Sequence, residues 1–294
     1  MPGARSNSAV GRRRLGPALK RLRDQAGVTI EQVADRLKCS SSKISRIENG
    51  HIRATMRDVD DMLDFYGAGD EVKEQIRQLV KDSRSKGWWT AYGQVFVGTY
   101  VGLEAAATSI EMYEAQLVPD LLQTNEYAKA TISASSPFDA TTLDGRIDVR
   151  ERRRAILKPE EPAEQGGTVE TADGPTTLFA ILDEAVLHRV IGSPAVMREQ
   201  MDHLLEMATW PNIDLRVLPF DQGAHAATDG TFSILSFDQA TDDFAFVEHA
   251  RGGLFLGKPE DLVRYRGIFE AVENKALAED ESLEMIRMRR DRYR

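Results

Sequence analysis

Ser40, Ser41, Ser42, Lys43, Ser45 and Arg46 form a short polar and basic run inside TIEQVADRLKCSSSKISRIENG, residues 29–50. The chemistry such a run can do is to hydrogen-bond base edges and neutralise phosphate. On a helix that starts after Ser40, a 3.6-residue period turns Ile44 and Ile47 inward and leaves Ser41, Ser42, Lys43, Ser45 and Arg46 outside. A guanidinium at Arg46 matches guanine bidentately, the serines donate or accept, and Lys43 suits phosphate. Thr29 and Gln32 before this helix, and Asn49 after it, complete the residues that the motif itself offers to a DNA duplex. A serine-rich face alone would favour an ordinary solvated surface. The two helices that frame it favour DNA.

Those helices are defined by their ends. Thr29 with Gln32 three positions on is a capping box, so a helix begins at Thr29. Ile30, Val33, Ala34 and Leu37 then share one buried face, with Ala34 small where a second helix crosses. Ser40 caps that second helix, which ends near Glu48 at Asn49-Gly50, a left-handed exit. Before the motif, Leu15, Leu19 and Leu22 mark a helix closed by Gly27. After it, Thr55 caps a fourth helix carrying Val59, Met62 and Leu63. Asp70 to Lys86 is strongly amphipathic through Val72, Ile76, Leu79 and Val80.

This stretch resembles the XRE/Cro-type helix-turn-helix family, from Leu15 to Tyr66, as a five-helix bundle. In that family an arginine of the first helix commonly pairs with the glutamate that ends the recognition helix. The resemblance assigns those roles to Arg23 and Glu48 and implies that His51 and Arg53 lie in a loop touching the phosphate backbone.

The net charge of −9 runs against DNA binding until it is divided along the chain. Residues 1–57 hold 13 Lys and Arg against 4 Asp and Glu, a charge of +9, which leaves −18 for the other 237 residues. Basic charge is thus concentrated where the motif lies, and the acidic remainder discourages DNA from wrapping the whole protein. No run approaches eighteen apolar residues and no hydrophobic signal core opens the chain, so a cytoplasmic protein is expected, with no membrane partner. The single Cys39 excludes an internal disulfide and makes a cysteine-based zinc site implausible. It fits best as a small residue filling the turn.

The expected organisation is a disordered basic arm over 1–14, a helix-turn-helix domain over 15–68, a linking helix over 69–87 and an α+β domain over 88–294. The arm carries Arg5 and Arg12 to Arg14 and suits either phosphates or plain solvation. In the second domain a helix is expected from Thr99 to Ala115, with Leu103, Ala106, Ala107, Ile110 and Tyr113 inward. Another is expected from Arg146 to Leu157, then a mobile loop over 158–175. Five strands follow, at Thr176–Leu182, Ile213–Leu218, Thr231–Phe237, Asp243–Glu248 and Leu254–Leu256. Between and after them come helices at Ala195–Thr209, Glu260–Ala276 and Asp280–Arg294, which gives a mixed sheet of about five strands.

Candidate site residues in this domain are Trp88, Trp89, His225, Asp229 and Glu248. The paired tryptophans suit stacking on a ligand or packing at a domain joint. Gly223 to Gly230, with His225 and Asp229, reads as a pocket loop or as simple loop geometry. No nucleophile elbow, HExxH, phosphate-cradling glycine loop or metal spacing accompanies them, so no catalytic residue, metal or cofactor is expected.

Trp88-Trp89, Leu103-Glu104, MYEAQLVPDLLQTNEYA, LDEAVLHRVIG, VMREQMDHLLEMA, VLPFDQGAHAATDGTFSIL and VEHARGG together resemble the C-terminal domain of WhiJ-like actinobacterial regulators, often called antitoxin-like. The chain departs from that pattern at Asp120, where the family usually has glycine, and at Arg153 or Arg154, where a glutamine is usual. The resemblance implies a transcriptional regulator whose gene neighbours that of a small partner protein thought to bind it. The function expected is therefore a DNA-binding regulator, a repressor, acting as a homodimer on a palindromic double-stranded operator. Its second domain takes a partner or effector. The alternatives are an antitoxin for a small neighbouring toxin-like protein and an enzyme held on DNA with a site near His225.

Overall fold

The structure is a computed structural model that describes residues 8–48, 52, 54–84, 98–135, 140–159, 174–238, 243–249 and 252–293. Two compact units are present. One takes the described residues up to Arg84 together with 98–106, and the other takes those from Ala107 onward.

The first unit is all-helical: α1 Ser8–Gln25, α2 Ile30–Arg36, α3 Ser41–Glu48, α4 Met56–Phe65, α5 Asp70–Arg84 and α6 Gly98–Glu104. Its core gathers the inward positions of the first five helices, among them Leu19, Val33, Ile44, Met62, Leu63 and Val80. Helix α1 begins at Ser8, seven residues before the expected Leu15, so the arm expected over 1–14 is helical in its second half. Alanine and arginine are good helix formers and need no apolar period to extend a helix already anchored by Leu15 and Leu19. Residues 1–7 lie outside the described residues. Helix α5, expected as a link, buries Ile76 and Val80 in the same core, and α6 also groups with this unit. The division between units therefore falls later than the expected residue 88.

The second unit is an α+β domain on a six-stranded mixed sheet: β1 Ser109–Glu114, β2 Thr177–Asp183, β3 Ile213–Leu218, β4 Phe232–Ser236, β5 Phe244–His249 and β6 Gly252–Leu256, in the order β3-β2-β1-β4-β5-β6. Strands β1, β2 and β3 are parallel, while β4, β5 and β6 each run antiparallel to the strand before them in the sheet. The strand beyond the expected five is β1, which lies where a helix was expected from Thr99 to Ala115. Leu103, Ala106, Ala107, Ile110 and Tyr113 do recur at three- and four-residue spacing, but the chain is helical only to Glu104. Ser109–Glu114 then pairs with β2 on one side and β4 on the other. Non-local pairing overrides a local helical period there.

Helix α11, Pro259–Glu273, covers one sheet face, where Tyr113, Ile181, Phe232, Ile234 and Phe269 cluster. The remaining helices are α7 Asn125–Ser135, α8 Ala140–Arg154, α9 Glu184–His188, α10 Pro194–Met207 and α12 Glu279–Arg292. The edge at β3 is closed by the chain leading into α12. The Leu277 amide donates to the Val217 carbonyl at 2.9 Å, and the Ser282 hydroxyl accepts from the Val217 amide at 3.0 Å. Both polar groups of an edge residue are thereby removed from intermolecular strand pairing.

Candidate nucleic-acid interface

The capping box is formed in both directions. The Gln32 amide donates to Thr29 Oγ1 at 3.3 Å, and the Thr29 amide donates to Gln32 Oε1 at 2.8 Å. In the turn that follows, Lys38 takes φ 51° and the Cys39 amide donates to the Ala34 carbonyl at 2.9 Å. Helix α3 then starts with Ser40 Oγ accepting from the Lys43 amide at 3.2 Å. Ile44 and Ile47 are buried, whereas Ser41, Ser42 and Arg46 are exposed and Lys43 and Ser45 half-exposed. Thr29, Gln32 and Ser40 are exposed as well. Asn49, His51 and Arg53 lie outside the described residues.

Two ion pairs fix α3. Arg23 Nε and Nη2 donate to the two oxygens of Glu48 at 2.7 and 3.0 Å, and both residues are buried. A third Arg23 donor reaches the Val28 carbonyl at 2.9 Å. This fork joins α1, the approach to α2 and the last turn of α3. A bidentate arginine fixes direction as well as distance. At the other end of α3, Lys43 Nζ lies 2.9 Å from Asp58 Oδ1. Asp58 also closes the capping box of α4, accepting from the Thr55 amide at 3.1 Å. Burial works to raise the Asp58 carboxyl, but Lys43 and Thr55 outweigh it and hold the group below its ordinary range. Lys43 is therefore tied within the domain by one of its three donors, and two remain. The one local signal for Asp58 is its place three residues after Thr55.

In the second unit the expected candidates separate. Tyr113 and Glu114, adjacent on β1, point to opposite faces of the sheet. On the Tyr113 side, the tyrosine hydroxyl donates to Asp183 Oδ2 at 3.1 Å and lies 3.5 Å from His225 Nε2. His225 Nδ1 accepts from the Ala227 amide at 3.3 Å. On the other side, Thr231 Oγ1 donates to Glu114 Oε2 at 3.1 Å. Burial raises the Glu114 carboxyl to about 8 against that hydrogen bond, with Asp120 and Glu248 adding to the rise. Continuing the β4–β5 register by two residues from Ser233 and Phe246 puts Glu248 opposite Thr231, on the face away from His225. Glu248 is open to solvent at the strand end, while Asp229 is exposed in its loop. Trp88 and Trp89 lie outside the described residues. Thus His225 and Glu248 do not share a site.

Close to Glu114 is a charged group drawn from distant parts of the chain. Asp120 pairs with Arg153 Nη1 at 2.7 Å and with Arg150 Nη2 at 3.0 Å. Burial raises the Asp120 carboxyl, but the two arginines more than reverse this and keep it ionised. Arg150 and Arg153 stand one turn apart on α8, and Asp120 follows β1 in a 3-10 turn, Asp120–Leu122. Such distant placement left no local signal.

An exposed polar helix face braced by one buried and one part-buried ion pair, joined to a separate α+β unit, defines a helix-turn-helix protein of the DNA-binding regulator class. A model of the helix-turn-helix domain matches residues 14–76. A second family model, described as a domain of unknown function (DUF5753), matches residues 97–288, more than half of the chain, and the chain belongs to this family. Neither curated proteins nor solved structures gave a match. Among the described residues, no helix is long and apolar enough to cross a membrane.

Proposed function

We propose that this chain is a sequence-specific transcriptional repressor that binds a palindromic operator as a homodimer. Its second domain receives a small partner protein or effector that changes DNA affinity. The observation that carries the reading is the face of α3: Ser41, Ser42 and Arg46 open to solvent on a helix held at its base by the Arg23–Glu48 fork. Arg46 reads a base and the serines read or position. Lys43 keeps α3 against the start of α4 while offering its remaining donors to phosphate. One recognition helix reads only a few base pairs, so useful specificity needs two half-sites about one helical turn apart, which supports the dimer.

The second domain acts without catalysis in this proposal. His225 is held by the Tyr113 hydroxyl, the Ala227 amide and, at 3.9 Å, the Asp183 carboxylate, contacts that fit a structural histidine. The resemblance to regulators paired with a small neighbouring protein supports a protein partner.

A mobility shift on the DNA upstream of the protein's own gene, with and without the product of an adjacent small gene, tests this proposal. The expected result is a shifted band that the partner changes and a pull-down of partner by regulator. No shift at all contradicts the DNA-binding reading. A shift indifferent to the partner contradicts protein control.

A further inference from the structure

A cleft of about 560 Å³ opens in the second unit between the end of α8 and the end of α10. That is within the ~300–1,000 Å³ range of small-molecule sites. The buried Met207 and the half-exposed indole of Trp210 give its lining an apolar part. On its wall stands Arg154, half-buried, whose hydrogen-bond partners are all neutral: Nη1 donates to the Gln123 carbonyl at 2.9 Å and lies 3.4 Å from His203 Nε2, and Nη2 donates to Asn125 Oδ1 at 3.1 Å, while the Glu151 charge offsets its desolvation only in part. Three of the five guanidinium donors are thus engaged and two remain. Where Arg150 and Arg153 on the same helix each pair with Asp120, Arg154 has no carboxylate in ion-pair contact among the described residues. A desolvated cation with neutral partners is the kind of group that an incoming anion stabilises.

We propose that this cleft binds a planar organic monoanion, an aromatic carboxylate, with its carboxylate on Arg154 and its ring against Trp210 and Met207. The single charge follows from the walls. Arg154 and Lys158 place cations at the cleft, and Asp148 and Glu151 stand beside them as two carboxylates. Burial and the neighbouring Arg154 keep His203 below its ordinary range, so it stays neutral near pH 7 and adds no charge. The two acids repel a dianion such as a phosphate monoester, so the cleft suits a monoanion. The flat indole face selects an aromatic body. This inference deepens the effector role assigned to the second domain and rests on that reading.

Calorimetric titration of the full chain with indole-3-carboxylate and with its neutral analogue indole-3-carboxamide is the test. The carboxylate is expected to bind saturably at sub-millimolar to millimolar concentration, and the carboxamide about tenfold or more weaker, since a charge-assisted hydrogen bond is worth ~1.5–3 kcal/mol. Arg154→Gln should weaken the carboxylate by a similar factor. Should Arg154→Gln unfold the chain, Trp210→Leu and Lys158→Ala, which alter only the cleft wall and rim, should each weaken the same binding. Absence of saturable binding, equal affinity for acid and amide, or affinity unchanged in the folded variants overturns the proposal. A mobility shift on the same samples separates the two readings. Lost DNA binding with the titration heat intact counts against the regulator and leaves the cleft standing.

Discussion

Glu48 ends α3 with both oxygens taken by Arg23, in a site closed to solvent. Glu48→Gln leaves the guanidinium buried beside a neutral amide, with only Asp24 at 2.9 Å as a charged partner. A loss of ~3–5 kcal/mol in urea denaturation is expected, at the lower end if Asp24 compensates. Glu114 carries a different expectation. Its folded value of about 8 stands above the ordinary 4.5, so the unfolded chain gives up the proton first. Stability should therefore fall as pH rises from about 4.5 to about 8 and level off above that. At ~1.4 kcal/mol per unit the contribution amounts to a few kcal/mol. Glu114→Gln should flatten the slope, and denaturation curves at pH 5 and pH 8 check it. A slope unchanged in Glu114→Gln would assign the dependence to other groups.

Among the elements, the contact of α1 with α3 depends on Gly16. A Cβ built there would lie 2.5 Å from the Glu48 carbonyl oxygen and 2.9 Å from that of Ile47. Both are backbone atoms that cannot swing away. Alanine is the better helix former by ~1 kcal/mol, yet the clash should decide the sign. Gly16→Ala is expected to destabilise by ~1–3 kcal/mol in thermal denaturation, and a raised melting temperature would show that α1 can shift at no cost. The elements also differ in how openly the sequence announces them. Thr29 with Gln32, and Ser40, are local chemistry, so the recognition pair was readable to within a residue. Strand β1 was not, because its alternation is masked by a chance helical period and its identity comes from β2 and β4, which lie far along the chain. The same distance hid the Asp120–Arg150–Arg153 group, and the sheet's two faces parted His225 from Glu248. The family resemblance named Arg23 and Glu48, which spacing alone did not.

For the molecule as a whole, charge and architecture agree. The +9 of residues 1–57 sits in the chain segment that holds α3, while the −18 of the rest falls mainly on the α+β unit. Association with DNA should accordingly weaken steeply with salt, as phosphate contacts release counterions. The regulator reading has its most direct test at Arg46, whose side chain is exposed and whose carbonyl accepts from the Ile52 amide at 3.2 Å. Arg46→Ala should leave stability within ~0.5 kcal/mol. The decisive measurement is the affinity of wild type and Arg46→Ala for upstream operator DNA and for random DNA at one fixed salt concentration. The account predicts that Arg46→Ala loses ~1–3 kcal/mol on the operator and much less on random sequence, relaxing one base pair in each half-site. Equal losses on both DNAs would contradict base reading by α3 and leave Arg46 a phosphate contact.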